Sequence, residues 1–138
     1  MREKSETEVR RDNPWEDLVI SILSVNNYSM EKTYSAVESL RAVGLVDPSQ
    51  LVTWDIDEIS AKLRAAQCDR GPFLTPLFAD RLAALGQFLR AAGVVHCERI
   101  ILSNDVVAIT ELLMPVRGIG PKVLSNLFLL RGIVRPKE

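Results

Sequence analysis

The chain is predicted to fold as an all-α domain, a compact bundle of six or more short helices whose last two are joined by a glycine hairpin near the C-terminus. Three observations predict it. Apolar residues recur at helical spacing, first and most clearly in Trp15, Leu18, Val19, Ile22 and Leu23, which follow the i, i+3, i+4, i+7, i+8 rule. The periodic stretches are framed by helix-starting and helix-stopping residues: Asn13-Pro14, Ser29, Asp47-Pro48, Asp55, Gly93 and Gly132. No convincing pair of alternating strands and no two-residue hairpin turn stands anywhere between them.

Taken in order, residues 1–12 are polar, carry both charge signs and show no apolar period, which marks a loose lead-in. The helical domain spans 13–134, and 135–138 form a basic tail. The first helix opens at Asn13-Pro14-Trp15-Glu16, with a cap, a first-position proline and a glutamate placed to bond back to the cap. It puts one face in the core and ends near Asn26-Asn27. A second helix is predicted from Met30 to Val43, capped by Ser29, stopped by Gly44 and lined by Tyr34, Val37 and Leu40. Asp47-Pro48 opens a short helix through Leu51 and Val52. Asp55, with Glu58 three residues on, opens another that buries Ile59, Leu63 and Ala66.

Gly71-Pro72 breaks the pattern, and Thr75-Pro76 starts a longer helix with Phe78, Leu82, Leu85 and Leu89 inward, weakened slightly by Gly86 and ended by Gly93. Val94 to Leu102 reads either as a short strand or as the tail of a helix. Asn104 is placed to cap a helix over Asp105–Met114, and the last helix runs from Pro121 to Leu130, ended by Gly132.

With 138 residues, 47% of them hydrophobic, the chain has the size and composition of one globular domain. No apolar run approaches the ~20 residues that span a bilayer, and the charged start Met1-Arg2-Glu3-Lys4 lacks a signal-peptide core. A cytoplasmic protein is expected, nucleoid-associated if bacterial. Cys68 and Cys97 are too few for a disulfide framework, and with His96 as the only histidine they fit no zinc or iron–sulfur site. The net charge of −1 is unevenly spread. Arg117, Lys122, Arg131, Arg135 and Lys137 stand against Glu138 alone, so positive charge gathers at and after the hairpin while residues 1–116 are acidic.

The organising stretch is Val116-Arg117-Gly118-Ile119-Gly120-Pro121-Lys122. A Gly-x-Gly in a dinucleotide loop needs a strand before it, whereas Val106 to Met114 reads as a helix. Gly118 and Gly120 can take backbone angles barred to other residues, turning the chain sharply and letting a ligand approach closely. Ile119 between them is expected to point inward and pin the loop. Pro121 suits the first position of the next helix, whose unpaired N–H groups and positive dipole end form an anion site. Lys122 adds a full charge in the same turn, and a phosphate is the natural guest. The alternative is a plain helix–helix turn with no ligand.

The order of these pieces resembles the helix–hairpin–helix DNA glycosylase superfamily, endonuclease III in particular. Three stretches carry the resemblance over residues 13–134. Trp15 to Asn26 looks like the family's opening helix, residues 55–89 are similar to its middle section with a glycine turn between two helices, and Val116 to Asn126 resembles its hairpin. The resemblance implies that the amides of Arg117, Gly118, Ile119, Gly120 and Lys122 grip a phosphate of double-stranded DNA. It also implies a monovalent cation at the backbone of Gly118 and Gly120 and a target base flipped out of the duplex. Lys122 occupies the place of the nucleophile of the bifunctional members, whose amine attacks the sugar C1′, expels the base and forms a Schiff base. Such an amine needs its pKa lowered by desolvation or by neighbouring positive charge, for which Arg117 is a candidate. Otherwise Lys122 is a phosphate contact or a solvated lysine. Asn26 aligns with the glutamine that the family inserts into the gap, and is equally a helix-terminating turn residue.

The chain departs from the family in three ways. It stops at Arg135-Pro136-Lys137-Glu138, about where the essential aspartate's loop should be; it lacks the second lobe with the four-cysteine cluster; and Pro115-Val116-Arg117 and Leu124 replace the usual hairpin residues. The expectation is a DNA-binding protein related to base-excision-repair glycosylases and lyases of the endonuclease III type, in a truncated or catalytically incomplete form. It would carry no iron–sulfur cluster and no cofactor beyond the cation, and a second lobe or protein subunit would cover its exposed apolar surface. The alternative is a non-enzymatic helix–hairpin–helix module that docks DNA or protein.

Overall fold

The computed structural model describes residues 13–25, 29–68 and 70–133. The predicted lead-in 1–12, the Asn26-Asn27 turn and the tail 135–138 lie outside them. Nine helices follow one another among the described residues: α1 (Pro14–Leu23), α2 (Met30–Tyr34), α3 (Val37–Val43), α4 (Pro48–Leu51), α5 (Ile56–Ala65), α6 (Gly71–Ala92), α7 (Val94–Leu102), α8 (Val106–Leu113) and α9 (Pro121–Leu130). The all-α expectation holds, and Val94–Leu102, read as strand or helix tail, is a helix of its own.

Helix α1 is the axis of the bundle. All ten of its residues are buried, and α9, α6, α2 and α7 pack around it. A helix enclosed on every side must find partners for any polar side chain it carries. Glu16, expected to bond back to the Asn13 cap, instead receives two hydrogen bonds from Arg41 on α3, at 2.6 and 3.1 Å. That contact holds the Arg41 guanidinium above its ordinary pKa against the opposing effect of desolvation. Asp17 pairs with Arg131, just past the end of α9, at 3.1 Å; both side chains are less than a tenth exposed. Trp15 donates its indole N–H to Glu98 on α7 at 2.6 Å. The Asn13 cap itself forms as expected, accepting from the amides of Trp15 and Glu16.

Three boundaries differ from the expected ones, each for a local reason. The predicted helix 30–43 is broken between Tyr34 and Val37. Thr33 returns its hydroxyl to Ser29 O and Ser35 returns its own to Lys32 O, bonds that bend helices, and the Ala36 amide tightens onto Thr33 O. The long helix begins at Gly71 rather than Thr75. Pro72 lies in its first turn, and the bond that Pro76 cannot make is to the carbonyl of exposed Pro72, where solvent can substitute. The cap of α8 is Asp105, which accepts from Val107 and Ala108, while Asn104 takes the left-handed turn before it at φ +60°.

Gly86, which propensity alone marks as a weakness, has a packing reason. A Cβ there would stand 2.8 Å from the carbonyl oxygen of Leu51, so the glycine is what lets α4 lie against the middle of α6. The two cysteines are buried and free. Desolvation pushes both thiols up, opposed at Cys68 by the Arg70 charge.

Two outcomes are expected. Asp17→Ala removes a carboxylate paired with the buried Arg131 and should cost on the order of 3–5 kcal/mol in urea denaturation; a loss below ~1 kcal/mol would show that the pair is readily replaced. In the native protein neither thiol should react appreciably with a disulfide reagent near neutral pH, and both should react once the chain is unfolded. Because the fold favours the neutral thiols, this part of the stability is present below the ordinary thiol pKa and declines as pH rises past it.

Candidate phosphate-binding hairpin

The hairpin forms as a bend between α8 and α9. Leu113 O accepts the Val116 amide at 2.9 Å, and Val116 O accepts the Ile119 amide at 3.0 Å, closing a tight turn over Arg117 and Gly118. The third residue of that turn, Gly118, has φ +93°, which a side chain strongly disfavours. A Cβ at Gly118 would also strike Arg81, whose Cγ lies 2.5 Å from that position, so α6 passes directly beneath the turn. Val116 and Ile119 are both buried, 5% exposed, and pin the loop from either side of the turn. The inward placement expected of Ile119 is what is seen.

Gly120 does a different job from the one expected. Its backbone is extended, φ −124° and ψ −167°, and any residue can adopt that conformation. Nothing lies within 4 Å of where its Cβ would be. It serves as the cap of α9 and offers no side-chain acceptor. Its carbonyl takes the first bond of the helix, from the Leu124 amide at 3.0 Å, and Pro121 fills the first helical position. The amides of Gly120, Lys122 and Val123 make no hydrogen bond among the described residues, as the first turn of a helix without a side-chain cap requires. Lys122 and Pro121 are exposed.

Arg117 reaches to α6. Its guanidinium forms a two-pronged pair with Asp80 on α6, Nε to Oδ2 at 3.1 Å and Nη2 to Oδ1 at 2.9 Å, and the side chain is 63% exposed. An exposed pair of this kind contributes little to stability but commits much of the arginine's charge to a carboxylate. Asn26 lies outside the described residues. The structure therefore brings Gly118, Ile119, Gly120 and Lys122 into one bend and directs Arg117 to α6. Among the described residues, no group of three or more His, Cys, Asp or Glu could hold a metal ion.

Sequence reasoning missed Asn126. It is buried in α9 and donates from Nδ2 to Ser24 O at 3.1 Å and Ser21 O at 3.3 Å, tying α9 to the last turn of α1. Asn126 lies one helical turn beyond Lys122, on the same side of α9, so the end of α1 sits beside the hairpin. Its signal was legible as an amide in the register of Val123 and Leu127, where only apolar residues are expected.

The two glycines should separate in mutants. Gly118→Ala combines a left-handed alanine with a collision against Arg81 and should cost about 2 kcal/mol or more. Gly120→Ala should leave stability within about 0.5 kcal/mol, because the methyl group meets open space. Equal losses in chemical denaturation would refute the described turn.

No protein-family model, curated protein or solved structure matches the chain.

Proposed function

We propose that this protein binds double-stranded DNA through the hairpin, as a helix–hairpin–helix domain of the kind its motifs resemble. The observation that supports this best is the turn itself: a left-handed glycine pinned by two buried apolar residues opens directly into a helix start. The amides there lack acceptors, and the next side chain is an exposed lysine. Oriented N–H groups, the positive end of α9 and the Lys122 ammonium all favour a phosphate oxygen. The open space at Gly120 lets a backbone phosphate come close to those amides. Contacts of this type hold the DNA backbone and carry no sequence preference of their own.

In this reading Lys122 is a grip. It lies in solvent, and Arg117, the neighbouring cation invoked to lower its pKa, is engaged by Asp80. The repair-enzyme version makes the same amine a nucleophile toward the sugar C1′, releasing the base and leaving a Schiff base on Lys122.

Binding to a short duplex should fall steeply with salt, with a slope of roughly 0.9 in log–log form for each phosphate contacted. Lys122→Ala and Gly120→Ala should each weaken binding several-fold across unrelated sequences, the second without loss of stability. Wild-type protein that ignores duplex DNA at low salt would end the proposal. Borohydride treatment of the protein on abasic DNA decides the chemistry: a covalent adduct that disappears in Lys122→Ala establishes the lyase, and its absence leaves a binding module.

A further inference from the structure

The hairpin rests on a charged side chain that its own motif does not contain. Arg81 stands in the middle of α6, and its stem is the floor of the turn. A Cβ at Gly118 would meet the Cβ, Cγ and Cδ of Arg81 at 3.0, 2.5 and 3.0 Å. Beyond the stem, the guanidinium lies over the Phe78 ring, its central carbon 5.8 Å from the ring centroid. The hairpin backbone on one side and the ring on the other hold the side chain in place, and it is only partly exposed.

What the head group lacks is an acceptor. A guanidinium carries five N–H donors, and a partly buried one normally meets a carboxylate or a carbonyl. Arg81 makes no hydrogen bond or ion pair among the described residues. The contrast with other arginines of the fold is direct, since Arg41, Arg117 and Arg131 each hold a carboxylate. The acid next to Arg81 in sequence, Asp80, is taken on both oxygens by Arg117. That pairing offsets the neighbouring negative charge and leaves the Arg81 charge uncompensated beneath the turn. Lys122, likewise without a partner among the described residues, follows the same turn.

We infer that Arg81 is a second cationic contact of the hairpin site, its guanidinium taking a phosphate oxygen of the DNA strand whose backbone the α9 amides grip. The inference rests on the DNA-binding reading above. Arginine suits the role because its planar fork can take two oxygens of one phosphate. A side chain already held by packing also loses little freedom when the anion arrives. The close approach of Gly118 to α6 then has a use beyond folding: it brings the hairpin beside a cation that belongs to another helix.

The test is the salt dependence of duplex binding by the full chain, compared among Arg81→Gln, Arg81→Lys, Arg90→Gln and Lys122→Gln. Glutamine keeps the Cβ, Cγ and Cδ that support Gly118 and removes the charge. Arg90 is the control: it lies nine residues further along α6 and on the opposite face, exposed and without a partner among the described residues. The expected result is that Arg81→Gln weakens binding several-fold and lowers the log–log slope by about 0.9, while Arg81→Lys keeps the wild-type slope. Arg90→Gln should change neither. A wild-type slope in Arg81→Gln alongside a reduced one in Lys122→Gln would remove the Arg81 contact and keep the hairpin. The reverse pattern would keep Arg81 as a DNA contact and remove the hairpin. Equal losses in Arg81→Gln and Arg90→Gln would mean that only net charge was lost, and a loss shared by Arg81→Lys would mean that the turn was disturbed. Either would overturn the contact; no wild-type binding would overturn both readings.

Discussion

The structure depends on the complete enclosure of α1. A ten-residue helix buried on all sides has no solvent face on which to leave Glu16 and Asp17, so the fold must bring cations to them. Arg41 comes from α3 and Arg131 from the end of α9. The indole of Trp15 is met by Glu98, and the carbonyls of the last turn are met by Arg70 and Asn126. The partners come from α3, α7, α9 and the start of α6, so satisfying one short helix fixes the relative placement of much of the chain. Removing either member of the buried Asp17–Arg131 pair would take an opposite charge from the other, which is why such contacts specify an arrangement more firmly than they stabilise it.

Helix α9 carries that constraint to the proposed site. Asn126, within it, and Arg131, just past its last turn, bind it to α1, while Val123, Leu127 and Phe128 are buried in the core. Its first turn is therefore presented from a rigid body, and the preceding loop is held by Val116 and Ile119. A loop carried on a fixed scaffold can keep its amides aimed at one point without reorganising when a ligand arrives.

Much of this was legible along the chain, and what was not has a common cause. The Asn13 cap, the reciprocal Asp55–Glu58 cap, the inward Ile119 and the turn at Gly118 all follow from interactions within four residues, and all are present. Glu16 was misread because its partner is 25 residues away, and the pairing of Asp17 spans 114. Periodicity alone assigns both to a solvent face, since it has no means of knowing that α9 closes over that side. The break at Ser35 was hidden for a different reason: hydroxyls returned to the backbone outweighed a continuous apolar stripe. In the hairpin the two glycines look alike as residues, yet one is required by its φ and by Arg81 while the other is free to vary as far as the fold is concerned.

That difference bears on what the hairpin is for. Five helix starts, those of α1, α2, α4, α5 and α8, are closed by a side chain from Asn13, Ser29, Asp47, Asp55 or Asp105. The start of α6 is tied by the Arg70 amide to the Thr75 hydroxyl, and α3 and α7 run on from the helix before them almost without interruption. Helix α9 begins after a full loop, with a glycine that leaves its first amides open. An asparagine or aspartate cap would be worth roughly a few tenths of a kcal/mol over glycine there, and the extended backbone of Gly120 with empty space around it would accept either one. A side chain that satisfied those amides would also occupy the position a phosphate needs. A residue that is dispensable for the turn and less than ideal for the helix fits the phosphate contact proposed for this hairpin.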